Sequence, residues 1–310
     1  MTRTPLFAHT SIAFQLFIFL GLLLMGALLS MLSSLILSIL LFGLNFNEVG
    51  EAMQAGGPLA MQSGRLLQVV SQLGIFIMPP LVLALLVHPS LKTYLGFNGK
   101  ARPVQYVLFV LLMFACLPLI HELAELNKSI SLPESMAGVE AWMHRKEHEA
   151  AELTEFFLGV STFQGLAFNL FMIAVLPSVG EELVFRSVLQ PKLGKLLRNA
   201  HVGVIISALL FSMMHLQFYG LIPRFVLGLF LGYAYLWTRS IWVPMLMHFV
   251  NNAAAVIVFF LAHNGHIPVS MDDFGGGGGT TILVLSIAFC LAILWASFLF
   301  SYKKEPQSLH

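Results

Sequence analysis

Two adjacent glutamates lie inside an apolar stretch, where ionisable side chains are energetically expensive and usually functional. Glu181 and Glu182 are followed by Arg186, and the next basic cluster starts at Lys192, 11 residues after Glu181. That separation corresponds to roughly 16 Å along a helix. Because residues four apart share a helical face, Glu182 is predicted to pair with Arg186, either beside a catalytic site or as a simple ion pair at a helix end. Glu181 points elsewhere and is free to act on a water molecule.

Two further polar groups follow in separate apolar stretches. Phe211 and His215 lie four residues apart, and so do His248 and Asn252. The spacing places a ring beside His215, and it places an imidazole nitrogen and an amide on one face of the later helix. Side chains of these types can act as bases, acids or hydrogen-bond donors in a reaction.

The elements that position these residues are membrane helices. The chain has 310 residues, of which 58% are hydrophobic and only 10% charged, whereas about a quarter are charged in soluble proteins. A spanning helix needs roughly 20 mostly apolar residues. On this criterion the predicted spans are 12–42, 66–88, 104–121, 160–190, 202–217, 221–238, 242–262 and 281–301. The predicted fold class is all-α, a polytopic membrane protein of about eight transmembrane helices with a polar intramembrane active site. Residues 1–310 are expected to form a single membrane domain, with its catalytic core at 160–262.

The distribution of charge predicts the orientation of these spans. If both termini are cytoplasmic, 11 of the 16 basic residues fall on the cytoplasmic side and 12 of the 15 acidic residues fall on the outer side, as expected from the enrichment of Lys and Arg in cytoplasmic loops. The acidic segment 122–155 then forms a solvated or interfacial helix on the outer face, and 275–279 forms a flexible glycine loop. The predicted location is the cell membrane (inner or plasma membrane). A net charge of +1 argues against a nucleic-acid partner.

The three polar groups form an ordered pattern of Glu-Glu-x-x-x-Arg, Phe-x-x-x-His and His-x-x-x-Asn between Pro177 and Asn252. Each of these motifs is weak alone, but the ordered set on successive spans is specific. It resembles the family of CAAX proteases and bacteriocin-processing enzymes, also called the Abi family. The eight predicted spans also suit this family.

The resemblance implies a glutamate-dependent intramembrane endopeptidase. The implied catalytic residues are Glu181, His215, His248 and Asn252. Glu181 and His215 would activate water, and the other two would stabilise the oxyanion. The implied supporting residues are Glu182, Arg186 and Phe211. The expected partners are a peptide or membrane-protein substrate and the lipid bilayer.

Three alternatives remain open from the sequence. Glu181, His215 and His248 form a two-histidine, one-carboxylate set that some zinc peptidases use, although no His-Glu-x-x-His is present. We therefore expect no cofactor and keep a zinc-dependent metalloprotease as the alternative. Buried glutamate and histidine also carry protons or ions in membrane transporters, but the two halves of the chain show no matched repeat. A partner-binding protein without catalysis is the third alternative.

Overall fold

The computed structural model describes residues 4–43, 45, 48, 57–268, 275–276 and 279–302, and every regular element within these ranges is helical. The helices are, in chain order, α1 (Ile12–Phe42), α2 (Gly57–Val87), α3 (Leu91–Tyr94), α4 (Pro103–Ala115), α5 (Leu117–Lys128), α6 (Ala137–Leu158), α7 (Phe163–Leu196), α8 (Ala200–Met214), α9 (Leu221–Thr238), α10 (Trp242–His263) and α11 (Gly279–Tyr302). Short 3₁₀ turns occur at Glu134–Met136 and Phe218–Gly220. The predicted all-α, polytopic membrane architecture is confirmed.

The predicted number of eight spans is not confirmed. Among the described residues, six helices are long and apolar enough to cross a membrane, namely α1, α2, α7, α9, α10 and α11. Helices α4 and α5 make a seventh span only when counted together, because the chain bends by 44° between them. Helix α8 has 15 residues, or about 22 Å, and a bilayer core is roughly 30 Å thick. It ends early because Leu216 adopts a left-handed conformation, with φ of 52°, which ends a helix in the way a C-terminal cap does.

The long helix α7 is interrupted by two wider, π-helical turns, at Leu170–Val175 and Leu183–Leu189. Such turns are often found at functional sites. Between them lies the segment Leu176–Glu182, which carries both glutamates. A β-carbon added at Gly180 would come within 2.7 Å of the Phe76 β-carbon, so α7 approaches α2 closely just before Glu181. The glycine therefore has a packing function at this position.

Helices α8 and α9 also pack closely, through two small residues four apart on α9. A β-carbon added at Gly228 would lie 3.1 Å from the Ala208 β-carbon, and one at Gly232 would lie 2.8 Å from Val204 Cγ1. Small residues at this spacing let membrane helices approach with little space between their backbones. Because α8 and α9 are held together in this way, the end of α8, where His215 lies, has a defined position beside α9.

Residues 122–128 of the acidic segment lie on α5, and residues 137–155 lie on helix α6, most of whose residues are exposed. The first half of α6 is attached to the turn before α9, where the Trp142 and Phe218 ring centroids lie 5.2 Å apart and His144 Nε2 is 2.8 Å from the Tyr219 hydroxyl. Near the C-terminal end of α6, the Asn169 side chain of α7 donates a hydrogen bond to the Phe157 carbonyl at 2.8 Å.

Several charges used to predict the orientation lie outside the described residues: Arg3, Glu51, Asp272, Asp273, Lys303 and Lys304.

Candidate active site

Glu182 and Arg186 form a buried ion pair on α7. Arg186 Nη1 lies 3.0 Å from Glu182 Oε1, and the two residues are 1% and 0% exposed. Arg186 Nη2 donates a second hydrogen bond, of 3.2 Å, to the Gly228 carbonyl on α9. The guanidinium also lies over the Phe211 ring at 4.6 Å, within the range of a cation–π interaction. This arginine therefore links α7 to both α8 and α9.

The oxygen of Glu182 that binds Arg186 also binds His248 on α10. His248 Nδ1 lies 2.8 Å from Glu182 Oε1. An ionised carboxylate only accepts hydrogen bonds, so Nδ1 carries the proton and donates it to Glu182. The second ring nitrogen, Nε2, is then free to face elsewhere. Glu182 thus sets both the tautomer and the orientation of His248, a contact between residues 66 positions apart that helical spacing did not reveal.

Glu181 occupies a different position from its neighbour. Its Oε2 atom lies 3.9 Å from His248 Nε2 and has no hydrogen-bond partner among the described residues. The residue is 5% exposed, and it faces a cavity of about 350 Å³. A separation of 3.9 Å is too long for a direct hydrogen bond but short enough for one water molecule to contact both atoms.

We call this space the glutamate cavity. All four side chains that were predicted to be catalytic line it, namely Glu181, His215, His248 and Asn252. They come from three separate parts of the fold, namely the middle of α7, the end of α8 and the middle of α10. Phe211 also lines the cavity. Glu182 and Arg186 lie behind this wall in the protein interior. The cavity therefore combines a carboxyl group, two imidazoles and an amide within one enclosed space.

His215 directly follows the last residue of α8, Met214. The prediction that it lies inside the fifth span was therefore wrong. Its Nδ1 atom lies 3.0 Å from the Phe211 carbonyl. A carbonyl can only accept, so Nδ1 carries the proton and Nε2 is the acceptor nitrogen of the neutral ring. The Phe211 ring contacts both histidines edge-on, with centroids 5.3 Å from His215 and 5.7 Å from His248. Phe211 therefore acts as a spacer between the two imidazoles.

The Asn252 side chain is oriented by a carbonyl on α7. Asn252 Nδ2 donates to the Ile173 carbonyl at 3.1 Å, and its Oδ1 accepts from Asn251 Nδ2 at 3.1 Å. Residue 177, four positions after Ile173, is a proline and has no N–H to bond that carbonyl in the regular helical pattern. The asparagine takes the place of the missing donor. One N–H of the Asn252 amide is left to point at a substrate.

Several polar residues that line the same cavity were not predicted from the sequence. Gln68 and Gln72 on α2, Arg224 on α9 and Asn251 on α10 all contribute to its wall, and the Gln72 amide interacts with the Glu181 carboxyl group. A signal was present for two of them, because Gln68 and Gln72 are amides four residues apart in an otherwise apolar run. Within the described ranges, no three His, Cys, Asp or Glu side chains are arranged as a metal site.

Comparisons with known proteins agree with the geometry. Residues 163–254 match the family described as type II CAAX prenyl endopeptidase Rce1-like. Over 93 residues the chain is 27% identical to the membrane-embedded CAAX protease MroQ of Staphylococcus aureus (strain USA300), a match that covers 28% of this chain and 38% of that relative. No solved structure matches the chain. The segment that carries the buried glutamates and the cavity histidines is therefore the part of the chain that is similar to CAAX proteases.

Proposed function

We propose that the protein is an intramembrane endopeptidase that hydrolyses peptide bonds with a water molecule activated by Glu181. The observation that carries the proposal is the position of Glu181 Oε2. This oxygen has no hydrogen-bond partner among the described residues, lies 3.9 Å from His248 Nε2, and faces a cavity shared with His215 and Asn252. The substrate is a peptide or a segment of a membrane protein that reaches this cavity.

In the proposed reaction, Glu181 takes a proton from the water as the water oxygen attacks the substrate carbonyl carbon. The carbonyl π electrons move to oxygen, and the resulting oxyanion accepts hydrogen bonds from the Asn252 amide and from His248. Glu181 then gives its proton to the leaving nitrogen as the carbon–nitrogen bond breaks. The acceptor nitrogen of His215 orients the water. An oxyanion donor of this kind typically lowers the barrier by ~3 kcal/mol.

The hydrogen bond between His248 and Glu182 limits how His248 takes part. Nδ1–H is already donated to Glu182, so His248 donates to the oxyanion only through Nε2–H, which requires the doubly protonated ring. The Glu182 carboxylate stabilises that positive charge. We therefore assign Glu182 as a positioning residue that acts through His248, in addition to its role in the ion pair with Arg186.

A proteomic comparison tests the proposed function. Cells with the wild-type protein, with Glu181→Ala and with Glu155→Ala are compared for new termini of membrane proteins. Glu155 is the matched control, because it is an exposed carboxylate on α6 that does not line the glutamate cavity. New termini are expected with the wild type and Glu155→Ala, and none with Glu181→Ala. The same termini in all three strains would contradict the proposal.

We further propose that the reaction needs no metal. Glu181 supplies the base, and His248, which is held by its hydrogen bond to Glu182, supplies a donor. The reaction then does not need a metal-bound water. Hydrolysis by the purified protein is expected to survive incubation with excess EDTA and 1,10-phenanthroline, and elemental analysis should find less than stoichiometric zinc. Loss of activity with chelator and its return on addition of zinc would instead support the metalloprotease alternative.

We also propose a multi-pass location in the cell membrane, with α6 on the outer side and both termini in the cytoplasm. Ser308 near the C-terminus lies outside the described residues, so Ser135→Cys before α6 and Lys195→Cys at the end of α7 are compared. In intact cells an impermeant thiol reagent is expected to label Ser135→Cys and not Lys195→Cys. The native thiols Cys116 and Cys290 are buried and give little background. The opposite labelling pattern would invert the topology.

A further inference from the structure

A second and larger cavity lies next to the glutamate cavity. Its volume is about 620 Å³, within the range of small-ligand sites, and most of its lining side chains are apolar, so we call it the apolar cavity. The two cavities share four lining residues: Met113, Leu227, Asn251 and Arg224. The walls of the apolar cavity come from α4, α5, α6, α9 and α10. A chain that extends out of the glutamate cavity can therefore continue into the apolar cavity past these shared residues.

Arg224 is the charged residue at this junction. Its Nη1 and Nη2 atoms donate to the Gln217 carbonyl at 3.2 Å and to Gln217 Oε1 at 2.5 Å, and both acceptors are neutral. No carboxylate lies within 4 Å of Arg224 in the part of the chain that the structure describes. A guanidinium has five N–H donors, so several remain after the two bonds to Gln217. Arg224 is also close enough to the His215 ring and to the Glu147 carboxylate for electrostatic interactions with both.

We propose that Arg224 binds a carboxylate of the peptide substrate, with the apolar cavity taking the apolar side chains beside that carboxylate. This inference rests on the proposed endopeptidase function. A partly enclosed arginine that makes no hydrogen bond to a carboxylate has donors left for an anionic ligand, and its planar fork matches a carboxylate with two hydrogen bonds. Three acidic residues line the two cavities, Glu181 in the glutamate cavity and Glu125 and Glu147 in the apolar cavity. Their negative charge favours a singly charged carboxylate over a doubly charged phosphate.

The experiment uses three degenerate libraries of N-acetylated nonapeptides and the full-length protein in lipid nanodiscs. The first library has free C-terminal carboxylates, the second has C-terminal amides, and the third has C-terminal amides with glutamate at one internal position. For a peptide that is cleaved, the free acid or the glutamate form is expected to have about a ten- to hundredfold higher kcat/KM than the plain amide, as suits a charge-assisted hydrogen bond. The library whose peptides have the higher kcat/KM shows whether the bound carboxylate is the C-terminal one or that of a glutamate side chain.

Variants then assign the preference to Arg224. Arg224→Gln is expected to raise KM for the preferred carboxylate peptide and to leave its kcat largely unchanged, so that acid and amide become equal. Arg224→Lys should restore part of the preference. Arg145→Gln is the matched control, because Arg145 is an exposed residue of α6 outside both cavities, and it should keep the wild-type preference.

The outcomes separate this inference from the proposed function. If the wild type cleaves no library, the endopeptidase proposal fails and this inference fails with it. If the wild type cleaves acids and amides equally, or if Arg224→Gln keeps the preference, the function stands and only the role of Arg224 is overturned. A variant that loses activity on acid and amide peptides alike would show that Arg224 is structural.

Discussion

Glu181→Gln is expected to lower peptide hydrolysis by ~10²–10⁴-fold, which is the usual contribution of a general base. The amide has nearly the same shape as the carboxyl group but cannot take the proton from water. Glu181 Oε2 makes no hydrogen bond among the described residues, and a glutamine keeps a side-chain oxygen that can still interact with the Gln72 amide. The substitution also removes a buried negative charge next to Glu182. The free energy of unfolding should therefore be unchanged or slightly higher.

The measurement is the rate of peptide cleavage in nanodiscs together with the thermal unfolding midpoint. Glu155→Gln is again the matched control, since it removes an exposed carboxylate that does not line the glutamate cavity. Its rate and its midpoint should both equal those of the wild type. Normal cleavage by Glu181→Gln would show that another residue activates the water. A large fall in its unfolding midpoint would show that Glu181 is a structural residue.

Glu182→Gln is expected to destabilise the protein by ~3–5 kcal/mol, because it leaves the Arg186 charge buried without its partner. Arg186 is 1% exposed and Glu182 is fully buried, so solvent does little to screen this loss. Cleavage should fall as well, because His248 loses the carboxylate that accepts its Nδ1–H. This substitution therefore affects both stability and activity, whereas Glu181→Gln is expected to affect activity alone.

A double variant separates the two effects of Glu182. In Glu182→Gln/Arg186→Met the unpaired charge is gone, so much of the lost stability is expected to return relative to Glu182→Gln. Activity is not expected to return, since the imidazolium of His248 still lacks a carboxylate. Equal stability of the single and double variants would contradict the importance of the ion pair. Recovery of cleavage in the double variant would contradict the positioning role of Glu182.

The local features of this protein follow from its sequence. The apolar stretches predict an all-α membrane protein, because a backbone in lipid must satisfy its hydrogen bonds internally. The Glu182–Arg186 contact follows from a spacing of four residues, and so does the packing of Phe211 beside His215. The ordered polar motifs indicated which residues share one site. Each of these inferences depends only on neighbours along one helix or on the cost of placing a charge in lipid.

The tertiary structure decided what depends on contacts between distant segments. The bond from His248 to Glu182 joins residues 66 positions apart, and the bond from Asn252 to the Ile173 carbonyl joins residues 79 apart. The predicted fifth span also ran three residues past the end of α8 at Met214, since hydropathy does not register the left-handed Leu216 that ends the helix. Arg224 was not singled out from the sequence, and packing placed it between two cavities. Helical periodicity defines which face a residue occupies, but the partner on that face depends on how the helices pack together.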